Sequence, residues 1–281
     1  MAIEIRPLTR GLGAEIIGAD VRNPDHFKTL ADAFTQYEVI AIRDQHITPE
    51  EQIDFADRLG PINVNRFFAH VPGHPEIAMV LKEPDQVTAV GERWHTDHSY
   101  DEIPAKFSML HAIETPEYGG DTNYASMSKS FATLSEGLKE TLRGLNGWHS
   151  SRHIFGAVRT ASETAKTGRI NNPELANQDS LHPVIIRHPK SNRECLYVNP
   201  DFFTHFDGWS KEESQALLAY LVQHSTKPEH LCRVRWYPGT ITIWDNLATW
   251  HKAVNDYDGH RRLMHRITID GEPLIESRVP A

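Results

Sequence analysis

The residue types that could do chemistry in this 281-residue chain begin with histidine; its seventeen copies outnumber eleven phenylalanines and eight tyrosines. Three histidines have a carboxylate two residues on: His74 with Glu76, His95 with Asp97, and His205 with Asp207. On a strand, residues i and i+2 share a face, so such a pair can chelate one ion with both side chains. Three hits also show how cheap the spacing is, and context must separate them. His74 sits between Pro72-Gly73 and Pro75, which reads as a turn. His205, in FFTHFDGW, reads as a loop entering a helix. His95, in RWHTDHSY, has bulky β-compatible neighbours and is the best placed.

Two protein ligands hold a catalytic metal poorly, so a third is expected from elsewhere. A set of two histidines and one carboxylate on one face leaves three positions open, an arrangement typical of non-haem Fe(II) oxygenases. His251 is the leading candidate: it follows TITIWDNLATW, where a strand runs into the turn pair Asp245-Asn246. Taken alone, His251 could equally pack beside Trp250. The last strand-like segment, RRLMHRITID (261–270), adds a second observation. Leu263, Ile267 and Ile269 make its odd-numbered face apolar, so Arg262 and Arg266 point together the other way, ~13 Å apart at ~3.3 Å per residue. Either both arginines face water, or both face a cavity as anchors for anions, a role suited to the planar guanidinium fork.

The elements that must position these residues are readable in outline. IEIRPL (3–8), AEIIGAD (14–20) and VIAIRD (39–44) read as strands, with a helix from Pro24 to Tyr37 between the last two. Thr48-Pro49-Glu50-Glu51 is a capping box opening a helix through Leu59, and Ser210 to Glu213 opens another over 210–224. FSMLHAIE (107–114), HPVIIRHP (182–189), ECLYV (194–198), CRVRW (232–236) and TITIW (240–244) are short, β-rich and punctuated by Gly, Pro or Asn. No regular βαβ alternation appears. The expected fold is mainly β with flanking helices, a sandwich or jelly roll, built as a single domain over 1–281. The polar stretch 155–180 has no clear period and reads as a lid loop.

Composition narrows the function classes. With 29 basic and 38 acidic side chains the net charge is −9, which disfavours nucleic acid or an anionic membrane as main partner. The longest apolar runs, such as IAMVL (77–81), fall well short of the ~20 residues that span a bilayer. Two cysteines, Cys195 and Cys232, and an N-terminus without a charged and then apolar leader point to a reducing, cytoplasmic compartment.

At this point the sequence resembles the taurine/2,4-dichlorophenoxyacetate dioxygenases, a family of Fe(II)- and 2-oxoglutarate-dependent oxygenases. The likeness runs from LGAEI (12–16) to GEPL (271–274). It is carried by WHTD (94–97), GGDT (119–122), WDN (244–246) with His251 five residues on, and RRLMHR (261–266). It implies a double-stranded β-helix (a jelly-roll, cupin-like core) with His95, Asp97 and His251 as iron ligands. It implies that Thr122 and Arg262 bind the far carboxylate of 2-oxoglutarate, and that Arg266 holds the anionic head of the prime substrate. The reaction implied is hydroxylation with O2, releasing succinate and CO2; the retained Asp97 argues against a halogenase. Assembly as a homodimer or tetramer is also implied.

Departures from the family pattern shape the expected substrate. Taurine-type members place a histidine where this chain has Asn65, and their polar residues near the amine fall on Val90 and Gly91. The pocket therefore suits an apolar body bearing one anion. YGGDT, GLNGWHS and CRVRW look closer to the aryloxyalkanoate-cleaving branch. By the same likeness, Phe155 and Phe202 shape the pocket, while Lys82 either adds a second positive charge there or sits exposed at a strand end. Expected substrates are aryloxyalkanoates, alkyl sulfonates or sulfate esters, often cleaved at C–O or C–S after hydroxylation. Two other readings stand beside this one. A zinc hydrolase or lyase on a cupin-like barrel would use the same His/Asp/His set but leaves the paired arginines unexplained. A non-catalytic anion-binding jelly roll would not need His95.

Overall fold

The computed structural model describes residues 2–156 and 170–277. Its frame is a nine-stranded sheet in the order β1 (Glu4–Thr9), β2 (Leu12–Ile17), β3 (Val39–Ile42), β15 (Ile241–Asp245), β7 (Phe107–Glu114), β17 (Arg262–Ile269), β6 (His74–Lys82), β5 (His70–Val71). The short β4 (Ile62–Asn63) joins beside β17. Among the described strands only β2 and β3 pair in parallel; the other registers are antiparallel, as the missing βαβ rhythm predicts. A smaller sheet orders β14 (Leu231–Val234), β8 (Thr122–Ser126) and β16 (Thr249–Ala253). A third combines β10 (Asp179–Pro183), β9 (Asn146–Ser150) and β13 (Phe203–Phe206), and β11 (Ile185–Arg187) pairs with β12 (Glu194–Leu196).

Alternation makes the large sheet two-sided. Phe107, Met109, Ile241, Ile243, Ile267 and Ile269 pack against α1 (Pro24–Tyr37) and α2 (Pro49–Asp57). From the opposite face Leu110, Ala112, Trp244 and Met264 meet Tyr124, Cys232 and Val234 of the small sheet. Each such side chain taken from water is worth about 1.5–3 kcal/mol. Arg262 and Arg266 share the face of Met264, so both guanidinium groups enter the space between the sheets, only 5% and 8% exposed. Of the two alternatives that parity left open, the structure has the inward one.

The helices form where local signals predict. α1 keeps the expected bounds, and both capping boxes close, with Thr48 and Ser210 each accepting from the amide three residues on. α3 (Met127–Ala132), α4 (Glu136–Arg143), α5 (Arg152–Phe155) and α6 (Lys211–Ser225) complete the set. No described helix is long and apolar enough to cross a membrane.

Three expectations need correction. His74 opens β6 instead of lying in a turn, and His205 lies within β13, stacked on Trp148. The segment 182–189 divides between two separate strand pairs because Val184 breaks it. Of the stretch read as a lid only the ends are described: α5 covers 152–155, Asn171 donates to the Phe67 carbonyl, and β10 pairs with β9. Its middle, 157–169, lies outside the described residues.

Candidate metal and cosubstrate site

Among the described residues one group of histidines and acids could hold a metal: His95, Asp97 and His251, with ligand atoms all within 4.8 Å of one another. His251 comes from β16, whose neighbour is β8, so the small sheet supplies it. His95 was expected on a strand. Instead it makes a single two-way bridge, its amide donating to the His251 carbonyl (3.0 Å) and the His251 amide to its own (2.7 Å). The chain then turns at Asp97, with His98 in the left-handed region at φ 57°. That one bridge, and no regular strand, sets the two imidazoles 4.0 Å apart between ring centroids.

Side-chain contacts fix the donor atoms. His95 Nδ1 donates to the Arg93 carbonyl (2.8 Å), which leaves Nε2 as the free lone pair. Asp97 Oδ1 lies 3.8 Å from His95 Nε2 and 3.9 Å from His251 Nε2. Its other oxygen, Oδ2, accepts from Ser108 Oγ at 2.7 Å and faces Arg266 Nη2 at 2.8 Å. Burial opposes charge on Asp97. The Arg266 guanidinium, the two imidazoles and the Ser108 hydroxyl outweigh it and hold the carboxyl well below the usual carboxylate range. Burial, reinforced by His95, pushes His251 well below the ordinary histidine value. An ionised carboxylate and a neutral imidazole are the forms a divalent metal requires.

Beside this group Arg262 forms the second half of the site. Its guanidinium lies over the Trp236 ring (5.6 Å), and Trp236 Nε1 donates to Thr122 Oγ1 (3.0 Å). Arg262 Nε and the Tyr124 hydroxyl are buried without hydrogen-bond partners. Tyr124 stacks on His251, so these groups adjoin the histidine end of the metal site. Buried donors with no protein partner, next to a threonine hydroxyl, fit a carboxylate ligand. The GGDT turn makes room for them. Gly120 has φ +69°, and a Cβ there would come 3.2 Å from Arg262 Cδ. Burial lowers the Arg262 pKa from its ordinary value; a guanidinium remains charged at neutral pH.

A cavity of about 320 Å3 opens on the metal group, lined by His95, Asp97 and Arg266 together with Asn65, Phe155 and Phe202. Phe155 stacks on Phe67 at 4.3 Å between centroids, and Tyr100 stands edge-on to both Phe155 and Phe202. Asn65 accepts from the Phe67 and Phe68 amides, which turns its Nδ2 toward His98 (3.4 Å). Lys82 is not brought to this cavity, nor is it exposed. It is 2% exposed, its ammonium donating to Asn255 (2.8 Å) and Asp258 (3.1 Å) over the Tyr257 ring. Of the other histidine–carboxylate pairs, His74 meets Glu50 (3.3 Å), outside any metal-sized group. The sequence reading passed over Ser108, Tyr124 and Trp236. A lone serine inside an apolar strand was the one available signal.

The model of the family "Taurine catabolism dioxygenase TauD, TfdA family" matches residues 4–268. The chain belongs to this family. It is 32% identical over 276 residues to an alkylsulfatase of Acinetobacter baylyi, covering 96% of this chain and 86% of the relative. It is 31% identical to an alpha-ketoglutarate-dependent sulfate ester dioxygenase of Pseudomonas putida (97% and 91% covered). It is 28% identical to the (S)-phenoxypropionate/alpha-ketoglutarate-dioxygenase of Sphingobium herbicidovorans (98% of each). A taurine dioxygenase structure from Burkholderia xenovorans superposes with a TM-score of 0.81 at 29% identity, covering 98% and 93%. As a member of this family the chain is a 2-oxoglutarate-dependent dioxygenase, using Fe(II), 2-oxoglutarate and O2. Nothing in the comparisons supports the zinc hydrolase or lyase. The likeness to the aryloxyalkanoate branch runs over nearly the whole chain, at 28% identity against 32% and 31% for the alkylsulfatase and the sulfate ester dioxygenase.

Proposed function

We propose that His95, Asp97 and His251 hold the Fe(II), that Thr122 and Arg262 bind the far carboxylate of 2-oxoglutarate, and that Arg266 anchors the prime substrate. That substrate is a small apolar body with one anion: a sulfate ester, an alkyl sulfonate or an aryloxyalkanoate. The two facing sheets would form the double-stranded β-helix of the family. When bound, the metal and cosubstrate supply the activation of O2, with succinate and CO2 as products. The chain's own residues do the rest. Arg266 fixes the anion, and Phe155, Phe202 and Asn65 set the distance from that anion to the reacting carbon. The aromatic walls keep water from the site, so positioning and dryness are what the protein contributes. Hydroxylation next to an ether oxygen, sulfonate or sulfate gives a product that splits to a carbonyl compound plus phenol, sulfite or sulfate.

One observation carries this reading: His95 and Asp97 of the His/Asp/His group lie in the wall of a cavity that also holds the buried Arg266 guanidinium and the rings of Phe68, Tyr100, Phe155 and Phe202. A panel of organic acids, assayed for succinate formation with Fe(II), ascorbate and 2-oxoglutarate, tests it. Sulfate esters, sulfonates or aryloxyalkanoates should raise succinate above the substrate-free rate, with matching release of sulfate, sulfite or phenol. If none of the three classes does so while another class of acid does, the substrate assignment is wrong.

A further inference from the structure

We propose that Ser108 is a positioning residue that decides which oxygen of Asp97 faces the metal, and that Asn246 holds Ser108 to that task. The inference rests on reading His95, Asp97 and His251 as the metal ligands. Ser108 lies in β7, between Phe107 and Met109, and is fully buried on the strand face that looks between the sheets. A hydroxyl at that depth costs free energy unless it is bonded. Its single proton goes to Asp97 Oδ2 at 2.7 Å, the oxygen that also faces Arg266. Its lone pair accepts from Asn246 Nδ2 at 3.1 Å. Because the amide can only donate, the relay has one direction: Asn246 to Ser108 to Asp97.

Asn246 is itself held by both partners of the site. Its backbone amide donates to the Lys106 carbonyl (2.9 Å), two residues before Ser108. Its carbonyl accepts from Thr96 Oγ1 (2.6 Å), the residue between the two ligands His95 and Asp97. The Thr96 carbonyl accepts in turn from Asn199 Nδ2 (2.7 Å). Motifs about 150 residues apart, WHTD and WDN, are thereby locked together, and the serine between them occupies Asp97 Oδ2. Only Oδ1 then remains toward His95 and His251. The torsion that swings a carboxylate is broad and two-fold. Without the serine hydroxyl Asp97 can turn and offer both oxygens, taking up a position that the cosubstrate and O2 need.

The test is Co(II) titration of the metal-free protein, read by visible absorption and dissociation constant, with a thermal melt of each variant. Ser108→Ala, which removes one oxygen and adds no bulk, should weaken Co(II) binding about 10- to 100-fold and alter the absorption bands. Ser108→Thr, which keeps the hydroxyl, should restore both; Asn246→Ala should shift both in the same direction but less. If Ser108→Ala binds Co(II) with wild-type affinity and spectrum, the hydroxyl serves only to satisfy its own burial and the proposal fails, whatever the melt shows. If Ser108→Thr behaves like Ser108→Ala, side-chain packing explains the loss and the relay is again overturned. Wild-type protein that binds no Co(II) would overturn the metal reading and the relay together, a result distinguishable from the other two.

Discussion

The metal end and the substrate end of the cavity are built differently. At the metal end the ligands are pinned from both sides. His95 and His251 are tied to each other through their backbones, His95 Nδ1 is held by a carbonyl, and Asp97 by Ser108. His251 stands on a strand of the small sheet, while Ser108 and Arg266 stand on the large one. The substrate end draws Asn65, Val90, Phe155, Ile170 and Phe202 from segments outside both of those sheets. Arg266 belongs to both ends, facing Asp97 and lining the cavity. The reaction class therefore rests on a braced scaffold, and selectivity rests on connections that can change without disturbing it.

Removing a metal ligand should break the braced end outright. His251→Ala leaves two donors, so metal content after loading should fall to background and succinate formation with it. The cavity walls should persist, since the ring contacts of His251 are with His95, Tyr124 and Trp244 and not with Phe67, Phe155 or Phe202. Metal analysis alongside the succinate assay checks this; a variant that retains stoichiometric metal would show that the three residues are not an obligate set. The two arginines should then divide the losses. Truncating a buried, paired charge costs roughly 2–5 kcal/mol, or at least ~30-fold in affinity. Arg266→Ala should place that loss on the prime substrate and Arg262→Ala on 2-oxoglutarate, both measured as dissociation constants on the metal-loaded protein. Equal loss of both ligands in either variant would erase the division between them.

What was legible in the sequence follows the range of the forces involved. Helix starts at Thr48 and Ser210 are local, a capping side chain and an amide three residues apart, and the structure has both. Strand parity is local too, and it put Arg262 and Arg266 on one face, leaving inward or outward open. The surroundings of the H-x-D pair were not local. His95 owes its place to one bridge with a residue 156 positions on, and a left-handed His98 follows Asp97, so no strand signal could describe it. Lys82 reads as a surface lysine because its partners, Asn255 and Asp258, are more than 170 residues away in the chain. Ser108 and Trp236 act through other side chains, Asp97 and Thr122, and spacing rules search only for residues that would hold a metal or cosubstrate directly. The stretch 155–180 shows no period in the sequence, and its described ends are held by non-local backbone hydrogen bonds to Phe67 and to β9, which no local pattern announces.

The smallest expected effect sharpens the comparison most, because it asks whether the substrate end can change alone. Phe155 stacks on Phe67 and lies 5.8 Å from Phe202 and 5.9 Å from Tyr100, ring to ring. Phe155→Leu keeps an apolar side chain of similar reach but removes the ring face. An aromatic pair is worth about 0.5–1.5 kcal/mol beyond its buried area. An aryl substrate that uses that face loses this term, and an alkyl substrate of equal length does not. The ratio of kcat/KM between an aryloxyalkanoate and an alkyl sulfate should therefore move roughly 5- to 10-fold toward the alkyl compound, the equivalent of about 1–1.4 kcal/mol. Co(II) affinity should stay at the wild-type value, since the ring contacts of Phe155 are with Phe67, Phe68, Tyr100 and Phe202 and not with either imidazole. A shift in metal affinity as large as the shift in selectivity would mean that the two ends are one cooperative unit, and that substrate preference cannot drift without cost to the iron site.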